Sequence, residues 1–163
     1  MILNEKWLCK HTVRIILVCF LKDLNYSLIK IDASSSDFKN QKILIASKLL
    51  ETAVKENGLK KYKIIDTFKG SDFEGTICSH PLKKLGYNFK VPMFEAQFVT
   101  LEQGTGFVHT APSHGPDDFN LCLKHGIKAI DTIDDSGRYT NNIPFFEGIH
   151  IFKADQLIID KLK

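Results

Sequence analysis

The sequence predicts an α+β domain, with short helices flanking a central antiparallel β-barrel. Three observations carry that class. Short alternating apolar segments outnumber helical stripes, and the two kinds do not take turns along the chain as in a doubly wound fold. In addition, 163 residues make one domain of ordinary size, large enough to bury a core. Apolar residues at 44% and charged residues at 25% are globular proportions, not those of a disordered chain. A formal charge of +3 excludes a histone-like polyanion coat and leaves room for a local basic patch.

The elements follow in order. The longest apolar run, Ile15 to Leu21, is far shorter than the roughly 20 residues of a membrane-spanning helix. Lys22 and Asp23 stand where a signal peptide would carry its small-residue cleavage site, so the run reads as a buried strand or short helix. Tyr26 to Asp32 alternates as a strand, Ala33 to Asp37 is a polar turn, and Lys42 to Ala46 is the returning strand of a hairpin. From Ser47 the period lengthens. Leu49, Leu50, Ala53 and Val54 line one helix face, with Ser47 as its cap and Gly58 as its stop.

Tyr62 to Phe68 is a strand closed by Lys69 and Gly70, and Pro81, Gly86 and Pro92 break Gly75 to Met93 into short strands and turns. Phe94 to Leu101 alternates as a further strand, and Phe107–Val108 is a short one. A helix is expected from Asp117 to His125, stopped by Gly126. Asp134 to Gly137 is a turn, and Pro144 to Gly148 a strand or turn. A last helix from Lys153 to Leu162 carries Ala154, Leu157, Ile158 and Leu162 on one face.

The cysteines Cys9, Cys19, Cys78 and Cys122 are far apart and form no C-x-x-C pair, which points to reduced cytosolic thiols. Reactive groups concentrate instead in Gly104 to Asp118, which holds two His, two Asp, two Thr, one Ser, three Gly and two Pro. Glycine and proline fix a backbone that a ligand can approach closely, while His and Asp supply charge and proton handling. A metal site would draw on His109, His114 and a carboxylate, but no H-E-x-x-H or cysteine cluster accompanies them. A phosphate cradle at Gly104–Gly106 lacks the following Lys and Ser/Thr, and a triad on Ser113 lacks the G-x-S-x-G elbow. In a fourth arrangement, one of Asp117 and Asp118 caps the helix and the other binds an ammonium group. Turn histidines are more often structural than catalytic, and acidic pairs usually just cap. The residue chemistry alone therefore defines a candidate pocket and no reaction.

The same stretch resembles G-T-G-x-V-H-x-A-P-x-H-G-x-D-D, a motif of the editing domain (first connective polypeptide) of bacterial-type isoleucyl-tRNA synthetase. Phe68 to Gly75, Ser79 to Leu82, Val99 to Gly104, Asp135 to Tyr139, Phe146 to Ile149 and Phe152 to Asp155 resemble its flanks. The resemblance implies the class I synthetase editing-domain fold over residues 23–163, behind a divergent leading segment 1–22 that is a candidate barrel strand. It implies hydrolysis of mischarged Val-tRNA(Ile) in the cytoplasm, without a cofactor or metal. By that resemblance Asp118 is the catalytic residue and holds the α-ammonium group. His109 lines the side-chain pocket, and Gly104, Thr105, Gly106, Thr110, His114 and Asp117 are further substrate contacts. The implied partners are the acceptor end of tRNA(Ile) and the remainder of an isoleucyl-tRNA synthetase, with no membrane. Lys83, Lys84 and Lys90 form either a contact for that RNA or a solvated face, and Trp7 either a base-stacking or a core residue.

The signatures of the synthetic, ATP-using core do not occur. Trp7 to Ile16 stands where the family carries a threonine-rich strand, with Thr12 alone present. A second reading follows from that departure: a catalytically inactive module that binds aminoacyl-tRNA.

Overall fold

The computed structural model describes residues 13–32, 41–59, 61–102 and 104–162. Among the described residues, seven strands and three α-helices follow one another as β1 (Leu17–Phe20), β2 (Asn25–Ile31), β3 (Lys42–Ala46), α1 (Leu50–Glu56), β4 (Tyr62–Lys69), β5 (Ile77–Ser79), β6 (Lys90–Glu95), β7 (Val108–Thr110), α2 (Pro116–Lys124) and α3 (Ile151–Leu162). The class is α+β, as expected. The strands form two sheets, of order β5-β6-β1-β7 and β3-β2-β4, and closure into a barrel is not seen among the described pairings. The β1–β6 pairing departs from the antiparallel expectation: the two strands are parallel, with Val18 opposite Met93 and Phe20 opposite Glu95. The long excursion from Phe20 to Lys90 supplies the crossover that a parallel pair requires.

The chain divides into two compact units. The first comprises Val18–Thr76 and Met93–Val108. Here β2 pairs antiparallel with β3 (Leu28 opposite Leu44) and with β4 (Tyr26 opposite Phe68), with a bulge beside Leu28 and Ile29. Tyr26, Ile29 and Ile31 are fully buried. Phe20, Tyr26 and Phe107 gather edge-on around Phe73, with centroids 5.1 to 5.7 Å from it.

A 3₁₀ turn, Ser47–Leu49, leads into α1. Ser47 does not cap that helix. Its hydroxyl lies 2.8 Å from the Ser27 hydroxyl, a cross-strand partner that local reading cannot see. The stop is as expected. Gly58 has φ +61°, its N–H donates to Lys55, and the Leu59 N–H donates to Val54, closing a Schellman turn.

The strand expected at Phe94 to Leu101 lies earlier, at Lys90–Glu95. Beyond it the chain turns, because the Ala96 N–H donates to Phe20 and the Val99 N–H folds back on Ala96.

The second unit comprises Ile77–Pro92, His109–Lys163 and the described part of Leu3–Leu17. Its core contains Val13, Leu82, Tyr87, Tyr139, Phe146 and Ile158. On α3, Ala154 and Ile158 are buried as expected, whereas Leu157 is 43% exposed and belongs to the outer face. Among the described residues no helix is long and apolar enough to cross a membrane.

Candidate substrate site

The front of the Gly104–Asp118 stretch belongs to the first unit. Gly104 (φ +88°) and Gly106 (φ +75°) make a turn that is clamped onto the β2–β3 hairpin. The Ala46 N–H donates to the Thr105 carbonyl at 2.8 Å. The Tyr26 hydroxyl donates to the Gly106 carbonyl at 3.1 Å and accepts the Leu21 N–H at 3.0 Å. A Cβ on Gly106 would overlap the Ala46 side chain, so only glycine lets the turn seat this closely. No local signal identifies Tyr26 as the anchor, because it lies eighty positions away.

The rear of the stretch belongs to the second unit, which holds His109, Thr110, His114, Asp117 and Asp118. Thr110 is fully buried, and its carbonyl accepts the Ile16 N–H at 3.2 Å. The His114 N–H folds back to the Ala111 carbonyl at 3.1 Å. The two imidazoles meet edge to face, His109 and His114, with centroids 6.1 Å apart and planes at 87°.

Helix α2 starts differently from the sequence expectation. Gly115 is its N-cap, Pro116 occupies the first turn, and neither aspartate makes a side-chain capping bond. Proline suits that position because its missing N–H would be unpaired there anyway. Asp117 is exposed. Asp118 is partly buried, and its Oδ2 accepts the Ala111 N–H at 3.4 Å. It lies one turn before the fully buried Cys122, hence on the inward stripe of α2.

Burial pushes the Asp118 carboxyl above its ordinary pKa; the Ala111 N–H opposes this and the neighbouring Asp117 charge adds to it. The Cys122 thiol is raised in turn, by burial first and by Asp118 second. Among the described residues Asp118 has no cationic partner; the ion pair there is Lys22–Glu74. A carboxylate on the first turn of a helix, held by one long backbone bond, leaves most of its acceptor capacity for a ligand.

Other candidates resolve simply. Ser113, Lys83, Lys84 and Lys90 are exposed, and Trp7 and Thr12 lie outside the described residues. His80, in the Ser79 to Leu82 flank, is 2% exposed, stacks on Tyr87 at 4.5 Å and accepts the Leu82 N–H, so it packs the fold. Among the described residues no three His, Cys, Asp or Glu side chains are grouped to hold a metal ion.

Residues 31–155 match the family model described as "Leucyl-tRNA synthetase, editing domain". The chain belongs to this family of synthetase editing domains. Its similar relatives are isoleucine–tRNA ligases. The one from Pelagibacter ubique is 60% identical over 140 residues, covering 86% of this chain and 15% of that protein. The one from Gluconobacter oxydans is 38% identical over 143 residues, with the same two shares. The chain thus spans about 15% of the length of these relatives. Among solved structures, the crystal structure of GlLeuRS-CP1 superposes with a TM-score of 0.65 at 16% identity, over 94% of this chain and 77% of that one. That likeness places the fold with the editing domains.

Proposed function

We propose that this editing domain hydrolyses the ester of mischarged Val-tRNA(Ile), acting beside the synthetic part of an isoleucyl-tRNA synthetase. The observation that carries the reading is Asp118: a partly buried carboxylate with no cationic partner among the described residues. Such a group gains from an ammonium ligand, and an aminoacyl ester presents one next to its scissile carbonyl. Asp118 grips the α-ammonium group, and His109 bounds the side-chain pocket. Water attacks the ester carbonyl carbon, the bond to the terminal ribose oxygen breaks, and that oxygen takes a proton from the water. Because the ester is already activated, orientation contributes more than a strong base.

The need for a second sieve is energetic. One methylene is worth only ~1–3 kcal/mol in an apolar pocket, so valine passes the synthetic site too often. A smaller pocket rejects isoleucine because overpacking is costly. The test is deacylation of Val-tRNA(Ile) by the folded protein. Hydrolysis well above that of Asp118→Ala supports the reading, and equal rates reject it.

One observation favours the second reading, an inactive binding module. The segment standing where the family carries threonines contributes buried Val13 and Ile15. Binding of a non-hydrolysable valyl-adenosine analogue without turnover would decide for it.

A further inference from the structure

The β3-β2-β4 sheet carries a line of cations that the proposed hydrolysis does not use. Lys30 on the central strand β2 stands opposite Lys42 of β3 on one side and opposite Lys63 of β4 on the other. Directly opposed residues share a face, and all three lysines are exposed. The alternate positions Ile29, Ile31, Ile43 and Ile45 point the other way and are buried. Two strand spacings, about 10 Å, separate the ends of the line. None of the three lysines is in an ion pair among the described residues, where the ion pair is Lys22–Glu74.

Like charges set directly opposite one another destabilise a sheet. Lysine on an edge strand guards against stray pairing, which accounts for Lys42 and Lys63 but not for Lys30 in the middle. The neighbouring rows, about 7 Å away along the strands, each hold an acid. Asp32 donates its N–H to the Lys61 carbonyl at 3.0 Å, and Asp66 stands opposite Leu28, its Oδ1 accepting the Thr67 N–H at 2.8 Å. The positive stripe is therefore narrow: one residue wide and three strands long.

We infer that this lysine line is a contact surface for the phosphate backbone of tRNA. Only the choice of partner rests on the editing reading, because the line belongs to the first unit and Asp118 to the second. Lysine meets phosphate as a point charge and reads no base, which suits a sequence-independent backbone contact. Its length matches about two or three successive phosphates of one strand, whose charge offsets the repulsion among the lysines. A broad anionic surface, such as a membrane, would press on Asp32 and Asp66 as well. A single strand laid along the line does not.

The test is fluorescence anisotropy of labelled, unacylated tRNA(Ile) titrated with the full chain over a range of salt. Saturable binding is expected, its logarithm falling linearly with the logarithm of salt concentration. Lys30→Gln with Lys63→Gln should weaken it at least about fivefold at ~0.1 M salt and make the slope shallower by about 1 to 2. Lys48→Gln with Lys55→Gln, exposed lysines of the same unit outside the line, removes the same charge and should weaken binding less than about twofold. The urea midpoint of the line variant should equal or exceed that of the parent, because opposed like charges are gone. Equal weakening by the two double variants, an unchanged slope, or tighter capture by phosphatidylserine vesicles than by tRNA overturns the inference. So does a lowered urea midpoint, which would assign the line to the fold. The RNA carries no amino acid, so Asp118→Ala should bind it as the parent does, and failure here is read separately from failure of deacylation.

Discussion

A carboxylate that burial makes easier to protonate has two observable consequences, and Asp118 should show both. Its folded pKa lies above its unfolded value of 3.8, so the folded chain holds that proton more tightly. Stability from this group therefore falls as pH rises between the two values, and the ionised group is a net cost above them. Asp118→Asn should be at least as stable as the parent at neutral pH, with the gain vanishing near the ordinary carboxylate pKa; urea unfolding at both pH values measures it. The same substitution should lower Val-tRNA(Ile) deacylation by roughly 100-fold, since a desolvated charge loses its partner. A less active, equally stable variant separates a binding carboxylate from a structural one. The second consequence concerns pH. The acid limb of deacylation should lie above the ordinary carboxylate range, and Asp117→Asn should move it to lower pH by removing the neighbouring charge that raises Asp118. An unmoved limb would assign it to another group.

At the scale of elements, helix stops were legible in the sequence and helix starts were not. Gly58 and Gly126 mark left-handed termini, a conformation that other residues adopt at a cost, and the signal is therefore local. After α2 the Gly126 N–H donates to Leu123 and the Ile127 N–H to Cys122, the same closure as after α1. Starts depend on which partner a polar side chain finds. Ser47 found Ser27 across the hairpin, and at α2 the proline at 116 mattered more than the aspartates. Strand β6 was misplaced because Pro92 argued against it, while the alternation after Glu95 outlasted the actual pairing. The glycines also differ in a testable way. Gly106→Ala must both keep φ +75° and displace Ala46, and should cost ~1–3 kcal/mol. Gly126→Ala keeps φ +70° with open space around it and should cost about 1 kcal/mol. Gly115→Ala, extended and unobstructed, should stay within about 0.5 kcal/mol of the parent. Urea midpoints of the three would rank them, and a neutral Gly106→Ala would deny the clamp on the hairpin.

At the scale of the whole molecule, the family was legible because fifteen consecutive residues carry its motif, but their distribution was not. The Gly104–Gly106 turn seats on the hairpin of one unit, and His109 to Asp118 build the other. The parallel pairing of β1 with β6 joins residues some seventy positions apart, and no local pattern encodes such a contact. Charge, by contrast, is a property of the sum. A net +3 is a weak attractor for RNA, so capture of the acceptor end should depend on a few phosphate contacts and respond to salt accordingly. Lys83 and Lys84, exposed on the 3₁₀ turn Lys83–Leu85, are candidates for two of them. The logarithm of kcat/KM for Val-tRNA(Ile) should fall linearly with the logarithm of salt concentration, by about 0.7 per phosphate neutralised on a single strand. Lys83→Ala with Lys84→Ala should make that slope shallower by about 1 to 2 while leaving turnover at saturation unchanged. A slope the double variant leaves intact would return both lysines to the solvated surface, and a flat response in the parent would remove phosphate contact from the reaction altogether.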